Sequence, residues 1–290
     1  MNQIRKTLVL SYAALLLAAG AAAEIVQLPL DASPGMPPTK VCTVSDTEYK
    51  DATIWVTVRE GRMFDCTYWV EDIRIKDAAQ LRTAAANGFG SSSVKDSIRL
   101  ASENNAIAAV NGDYYTHTNS KYIFRQGKLY TDTLRGVRDI LLIDVDGDFH
   151  ALHLAGKNSI GEEIDGKKLA NVLSFGPVLV EDGKAIADFG MVSGIAVNDG
   201  RQRVAIAQAG PLHYKLFCCA GNRRGSKGMT VEQFAQMIEQ EGAIIAYNLD
   251  GGDSSMMYFN GRKVNDDNRT ARKINDIVYF ASAYVDEESK

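Results

Sequence analysis

Cysteine is scarce in this sequence: there are four among 290 residues, at positions 42, 66, 218 and 219. Cys42 and Cys66 fall on neighbouring predicted strands, where a disulfide is open to them. Cys218 and Cys219 are adjacent in a predicted strand, so their side chains point to opposite faces and a bond between them is disfavoured. Neither pair has the spacing of a zinc site, and burial as small hydrophobes accounts for all four. Histidine is equally rare. His150 and His153 sit three apart on a predicted strand, on opposite sides, and make a poor metal pair. Net charge is small, formally −4, with no block of one sign. That excludes the basic footprint of a nucleic-acid partner and a polybasic membrane patch. Proline is sparse too, and four of the six lie within residues 24–40.

The chain also lacks a hydrophobic run long enough for a stable membrane span. Its one sustained apolar stretch, Leu8 to Ala19, follows Arg5 and Lys6 and precedes Ala21-Ala22-Ala23. This pattern predicts a signal peptide over 1–23, and hence an exported protein. Residues 24–40 are predicted to be a loose extended leader, and 41–290 one domain. With 46% hydrophobic and 23% charged residues the composition is ordinary for a globular protein.

Alternating apolar residues predict strands at 53–58, 66–75, 203–208 and 214–219, with a succession of strands from 122 to 197. Turns are expected at Gln126-Gly127, Asp146-Gly147 and Asp182-Gly183. A helix is predicted over 76–86, and another over 94–104 behind Ser93 with Asp96 in a capping-box-like place. The clearest helix runs from the cap Thr230 to Glu241, with Val231, Phe234, Ala235 and Ile238 on its apolar face. The expected fold is α+β: one domain with a large mixed, mostly antiparallel twisted sheet and a few packed helices. Asp144-Val145-Asp146-Gly147-Asp148 has the wrong glycine position for an EF-hand and reads as a hairpin turn.

The most informative stretch is Asn248-Leu249-Asp250-Gly251-Gly252-Asp253-Ser254-Ser255, set between apolar runs at 243–246 and 256–259. So many polar groups between two buried strands mark a polar site at a strand end. Glycines there permit a sharp turn and close approach of a ligand, and serines with free N–H groups suit an anion. The same logic recurs where the apolar strand at 106–110 ends in Asn111-Gly112-Asp113-Tyr114-Tyr115.

Several segments, in order, resemble the phosphodiester glycosidase family. Asn248 to Ser255 is similar to its Asn-Leu-Asp-Gly-Gly-Gly-Ser-Ser, Asn111 to Tyr115 to its Asn-Gly-Gly-Phe-Phe, and Phe175-Gly176-Pro177 to its Phe-Gly-Pro. Arg203-Val204-Ala205-Ile206 resembles its Pro-Arg-Thr-Ala segment. The likeness covers roughly 106–280. This chain departs from the pattern at Gln202 and Val204, at Asp253 where the family has glycine, and at Ala220-Gly221 where Asp-Gly is usual.

The resemblance implies hydrolysis of a sugar 1-phosphodiester, such as one bearing N-acetylglucosamine, at the sugar C1–O bond. Free sugar and a phosphomonoester are released and no cofactor or metal is needed. It makes Asp250 the first candidate for nucleophile, general base or cation stabiliser, and Asp113 the second carboxylate. Asp113 is equally suited to capping its own turn. Arg203 is the candidate phosphate clamp. Gly251, Gly252, Ser254 and Ser255 would form an anion nest. Asn111, Asn248, Gly112 and Gly176 would line the sugar site, Tyr114 would stack on the ring, and His117 is a candidate acid or phosphate ligand, or a loop histidine without a role. In an exported protein the expected substrate is a surface glycan. Two other readings stay open on the residues alone. One is a non-catalytic module for anionic polysaccharide, favoured by Ala220 and Asp253. The other is a metal-dependent phosphodiesterase cutting P–O, with Asp113, Asp250 and Asp253 gathering the cation.

Overall fold

The protein is described by a computed structural model over residues 24–113, 121–189, 196–223, 225–265 and 272–285. The signal-peptide expectation, together with Tyr114 and His117, lies outside the described residues. The elements that matter here are β1 (Ile54–Met63), β2 (Cys66–Ile75), β3 (Leu81–Ala85), α1 (Ser97–Glu103), β4 (Ala106–Asn111), β5 (Tyr122–Arg125), β6 (Arg138–Asp144), β7 (Lys167–Leu173) and β8 (Val178–Glu181). They continue with β9 (Arg203–Gly210), β10 (His213–Cys219), α2 (Val231–Gln240), β11 (Ile245–Leu249), β12 (Met257–Phe259) and β13 (Asp276–Ala281).

The largest sheet has nine strands and runs through β8, β11, β9, β10, β2 and β1, with short strands at both edges. A five-stranded sheet carries β12, β4, β13 and β3, and a six-stranded sheet carries β6, β7 and β5. The single large mixed sheet expected from the pattern is therefore divided among several sheets. Among the described residues the strand pairings are antiparallel. Among the described residues there are two α-helices, and the fold is mostly β. One continuous core joins the inner faces of the sheets, through residues such as Ile107, Leu141, Phe217, Tyr247 and Phe280. α2 packs its Val231, Phe234, Ala235 and Ile238 into it, lying against β8. The far face of the five-stranded sheet is covered by Leu100 and Ala101 of α1. β4 is buried on both faces, which explains why it reads as an unbroken apolar run.

Local rules hold where they are strongest. Thr230 accepts from Gln233 N while the Gln233 side chain answers the Thr230 N–H, a complete capping box. At Gln126-Gly127 and Asp182-Gly183 both residues take positive φ, the signature of tight hairpin turns. The predicted helix over 76–86 is a correction. Asp77 caps only a short 3-10 turn at Ala78–Gln80, after which β3 begins. Helix-forming alanines lose to pairing with β13 and to the fully buried Arg82. The Arg82 guanidinium donates to the carbonyls of Pro29, Asp31 and Ser33. The leader is thus extended but fastened, and Glu24–Ile25 pairs with Tyr284–Val285. Lys167 Nζ reaches Asp144, Asp146 and Asp148 at 3.5, 3.0 and 3.1 Å, so an ammonium sits among the carboxylates of that hairpin turn. The four cysteines are free thiols. Cys66 Sγ donates to the carbonyls of Thr67 and Ala220 at 3.4 Å each, and the Cys42 sulfur accepts from Thr39 Oγ1 at 3.9 Å.

Candidate active site

Antiparallel pairing of β9 with β11 sets Val204 opposite Leu249. The residue entering β9, Arg203, and the residue leaving β11, Asp250, therefore arrive together at one end of the sheet. The chain then turns tightly. Gly252 N donates to Gln202 O at 3.0 Å, and a Cβ at Gly251 would lie 2.6 Å from that same oxygen, so only glycine fits at 251. Gly252 holds φ at +61°.

These strand ends enclose a cavity of about 380 Å³. Arg201, Arg203 and Arg272 line it with Asp250 and Asp253. Phe175 and Asn248 form part of its wall. Arg203 is buried, with Nε donating to Met229 O at 2.7 Å and Nη2 to the carbonyls of Ala196 and Asp199 at 2.8 Å each. Those carbonyls fix the plane of the guanidinium. Burial pulls its pKa down to about 10, which still leaves a cation at neutral pH. Arg272 Nη2 lies 3.3 Å from Asp250 Oδ2, and its Nε donates to Ser254 Oγ at 3.1 Å. Asp250 is buried but for a small opening, its side chain 12% exposed, so the arginine orients a carboxylate that solvent barely reaches. Asn248 Nδ2 donates to Gly176 O at 2.8 Å, while its buried Oδ1 has no hydrogen-bond partner among the described residues.

The sequence profile of the phosphodiester glycosidase family matches residues 104–281, well over half of the chain. The chain belongs to this family. In fold it is similar to the zebrafish N-acetylglucosamine-1-phosphodiester alpha-N-acetylglucosaminidase catalytic domain, solved in a form auto-inhibited by its pro-peptide. The TM-score is 0.66 at 16% identity, covering 87% of each chain. It is also similar to a hypothetical protein from Synechocystis, with a TM-score of 0.54 at 15% identity over 81% of this chain and 62% of that one. No curated protein matches the sequence.

Of the residues expected to form the phosphodiester glycosidase site, Asp250, Arg203, Asn248, Gly251 and Gly252 line the cavity. The others are placed differently. Asn111 is a brace: Nδ2 donates to Asp250 O at 2.7 Å and Oδ1 accepts from Met256 N at 3.0 Å, so its amide holds the Asp250 loop instead of facing a sugar. Gly112 is required by packing, since a Cβ there would come within 2.2 Å of Asp276 Oδ2. Gly176, at φ +79°, supplies the carbonyl that holds Asn248. Ser254 is engaged by Arg272, and Ser255 is buried, so the expected serine nest is not part of the cavity lining. Asp113 is the main correction. Its carboxylate is buried beneath the site, where Oδ1 accepts from Arg125 at 2.9 Å and Oδ2 from Ser174 N at 2.9 Å. It therefore gathers neither with Asp250 as a second catalytic carboxylate nor with Asp250 and Asp253 around a cation.

Sequence reasoning missed Arg201 and Arg272. Arg201 carried a signal, because residues two apart on an extended chain share a face, and Arg203 was already a candidate. Arg272 carried none, lying in a polar stretch with Arg269 and Lys273 close by.

Beneath the site, Asp113 and Asp276 flank the fully buried Arg125, which lies 3.5 Å from Asp276 Oδ2. Burial, with the Asp113 charge second, pushes the Asp276 carboxyl from 3.8 up to about 7 against the pull of Arg125. The folded protein therefore keeps a proton that the unfolded chain releases near pH 4. The stability this contributes is complete below about pH 4, is lost as pH rises towards 7, and changes no further above it. Asp276→Asn removes the titration. Thermal unfolding at pH 5, 6, 7 and 8 should show a flatter decline for the variant than for the parent. Parallel curves would assign the proton elsewhere.

Proposed function

We propose that the protein is an exported hydrolase that cleaves sugar 1-phosphodiesters of surface glycans at the C1–O bond, releasing free sugar and a phosphomonoester. The observation that carries this reading is the convergence of the Asp250 carboxylate and the Arg203 guanidinium on one cavity. Family membership supports the class of reaction.

The chemistry suits these groups. A phosphomonoester is a good leaving group, since its second pKa is about 6, so strong acid assistance is not required. The barrier lies in the oxocarbenium-like centre at C1 and in bringing water to it. Asp250, oriented by Arg272, stands as the group that stabilises that centre and assists attack. Arg203, fixed by three carbonyls, holds the phosphate and the negative charge that grows on it as the bond breaks. The relative's N-acetylglucosamine-1-phosphodiester makes N-acetylglucosamine the first sugar to try.

The test is N-acetylglucosamine-1-phosphoglycerol in oxygen-18 water. Label is expected in the released sugar with none in the glycerol phosphate. Label in the phosphate would mean P–O cleavage and overturn the reading. Saturable binding without release would make the site a binding module, the outcome that Ala220 in place of the family aspartate favours.

A further inference from the structure

A smaller recess of about 190 Å³ opens beside the main cavity, and the two share Arg201, Gln202 and Gly252 as a common wall. Its far side is made by Gly221, Asn222 and Arg223. Two arginines, a glutamine and an asparagine are among the residues lining this space, and no acidic residue is. Asp199 does pair with Arg201 at 2.8 Å, but both side chains are more than half exposed, where an ion pair adds little and gives way to a better anion. Glycines at 200, 221 and 252 leave the backbone bare for close approach. At Gly221 a Cβ would come within 2.9 Å of Gln202 Cγ and fill the junction between the two spaces.

Direction follows from the shared wall. Asn248, Phe175 and Asp250 line the main cavity and not the recess, which places the sugar away from it. The recess continues from Arg203, the phosphate clamp, through Arg201. Two residues along an extended chain span about 7 Å. Two anions held by these arginines are therefore separated by roughly one small polyol. The phosphates of a pyrophosphate share a bridging oxygen and lie too close together for this spacing.

We propose that the recess is a second anion subsite on the aglycone side, so that the preferred substrate carries another phosphate one polyol unit beyond the bond that is cut. This rests on the proposed hydrolysis for its orientation, but binding tests it without turnover. Glycerol 1,3-bisphosphate and glycerol 1-phosphate are titrated calorimetrically into the full chain, and into Arg223→Gln. The bisphosphate is expected to bind about tenfold more tightly to the parent, since one further charge-assisted contact is gained. That advantage should shrink in Arg223→Gln and at high salt. Equal affinity of the parent for both compounds overturns the subsite whether or not the variant folds. An advantage that survives intact in a folded Arg223→Gln overturns it as well. Methylene bisphosphonate, with its anions close together, should show no such advantage, and if it matches the bisphosphate the proposed spacing is wrong. Failure of N-acetylglucosamine-1-phosphoglycerol to be hydrolysed would bear on the reaction and leave these binding results to stand alone.

Discussion

Asp250→Asn is expected to lower kcat on a sugar 1-phosphodiester about a thousandfold, within the range seen when a positioned acid–base group is lost. The substitution keeps shape and leaves Oδ1 to accept from Arg272, so the cavity should persist. KM should change less than tenfold, because substrate affinity comes from Arg203 and the surrounding backbone. Stability should hardly move, since Arg272 is 43% exposed and its ion pair with Asp250 is of the kind that contributes about 1 kcal/mol or less. The measurement is steady-state kinetics beside thermal unfolding of the same preparation. Activity within tenfold of the parent, in a variant with an unchanged Tm, would remove Asp250 from the chemistry. A large fall in both activity and Tm would instead make the residue a structural acid.

Arg125→Met should produce the largest loss of stability. Arg125 is fully buried and donates to Asp113, to Asp276 and to the carbonyls of Phe124 and Val172. Methionine fills much of the same space but leaves two carboxyls facing each other in a medium that solvates neither. Breaking a buried ionic cluster from one side costs about 3–5 kcal/mol. For a chain of this size that lowers Tm by roughly 10 °C. At about pH 9, above the raised Asp276 pKa, the double variant Arg125→Met with Asp276→Asn should regain part of the loss, because there one charge is gone and an amide can donate to Asp113. Urea unfolding of the parent, the single and the double variant decides it. A loss below about 1 kcal/mol, or no recovery in the double variant, would mean the three residues do not act as one cluster. The single variant should also lose activity, since Gly112 packs on Asp276 and its carbonyl accepts from Asp250 N at 3.4 Å.

Much of this was legible in the sequence. The two strand-end motifs, the helix cap at Thr230 and the glycine-bearing turns each satisfy a local rule, and these survive in the fold, whereas the capping box expected at Ser93 gives way to Asp96 as the cap. The expectation that Asp250 and Arg203 would share one site rested on the family resemblance, and strand pairing brings them together through the Val204–Leu249 register. What failed is instructive. Asn111 and Asn248 occupy equivalent places, each near the end of a buried strand and each close to a glycine. Both amides brace a neighbouring loop, Asn111 through Asp250 O and Asn248 through Gly176 O, yet only Asn248 is among the residues lining the cavity. Side-chain direction at a strand end depends on which loop lies across from it, and nothing within a few residues encodes that. Asp113 failed for the same reason, because its partner Arg125 lies on a different sheet. The helix expected at 76–86 failed because alanine propensity is a fraction of a kcal/mol per residue, and pairing with β13 outweighs it.

The pairing of Glu24–Ile25 with Tyr284–Val285 brings the two ends of the described chain side by side in a short ribbon. An anchor, a tag or a further module attached at either end would thus leave the molecule from a common exit point. A short bridge across that point would close the polypeptide into a ring without redrawing any sheet, so the same molecule could be cut open anew at an exposed loop such as Asp165-Gly166.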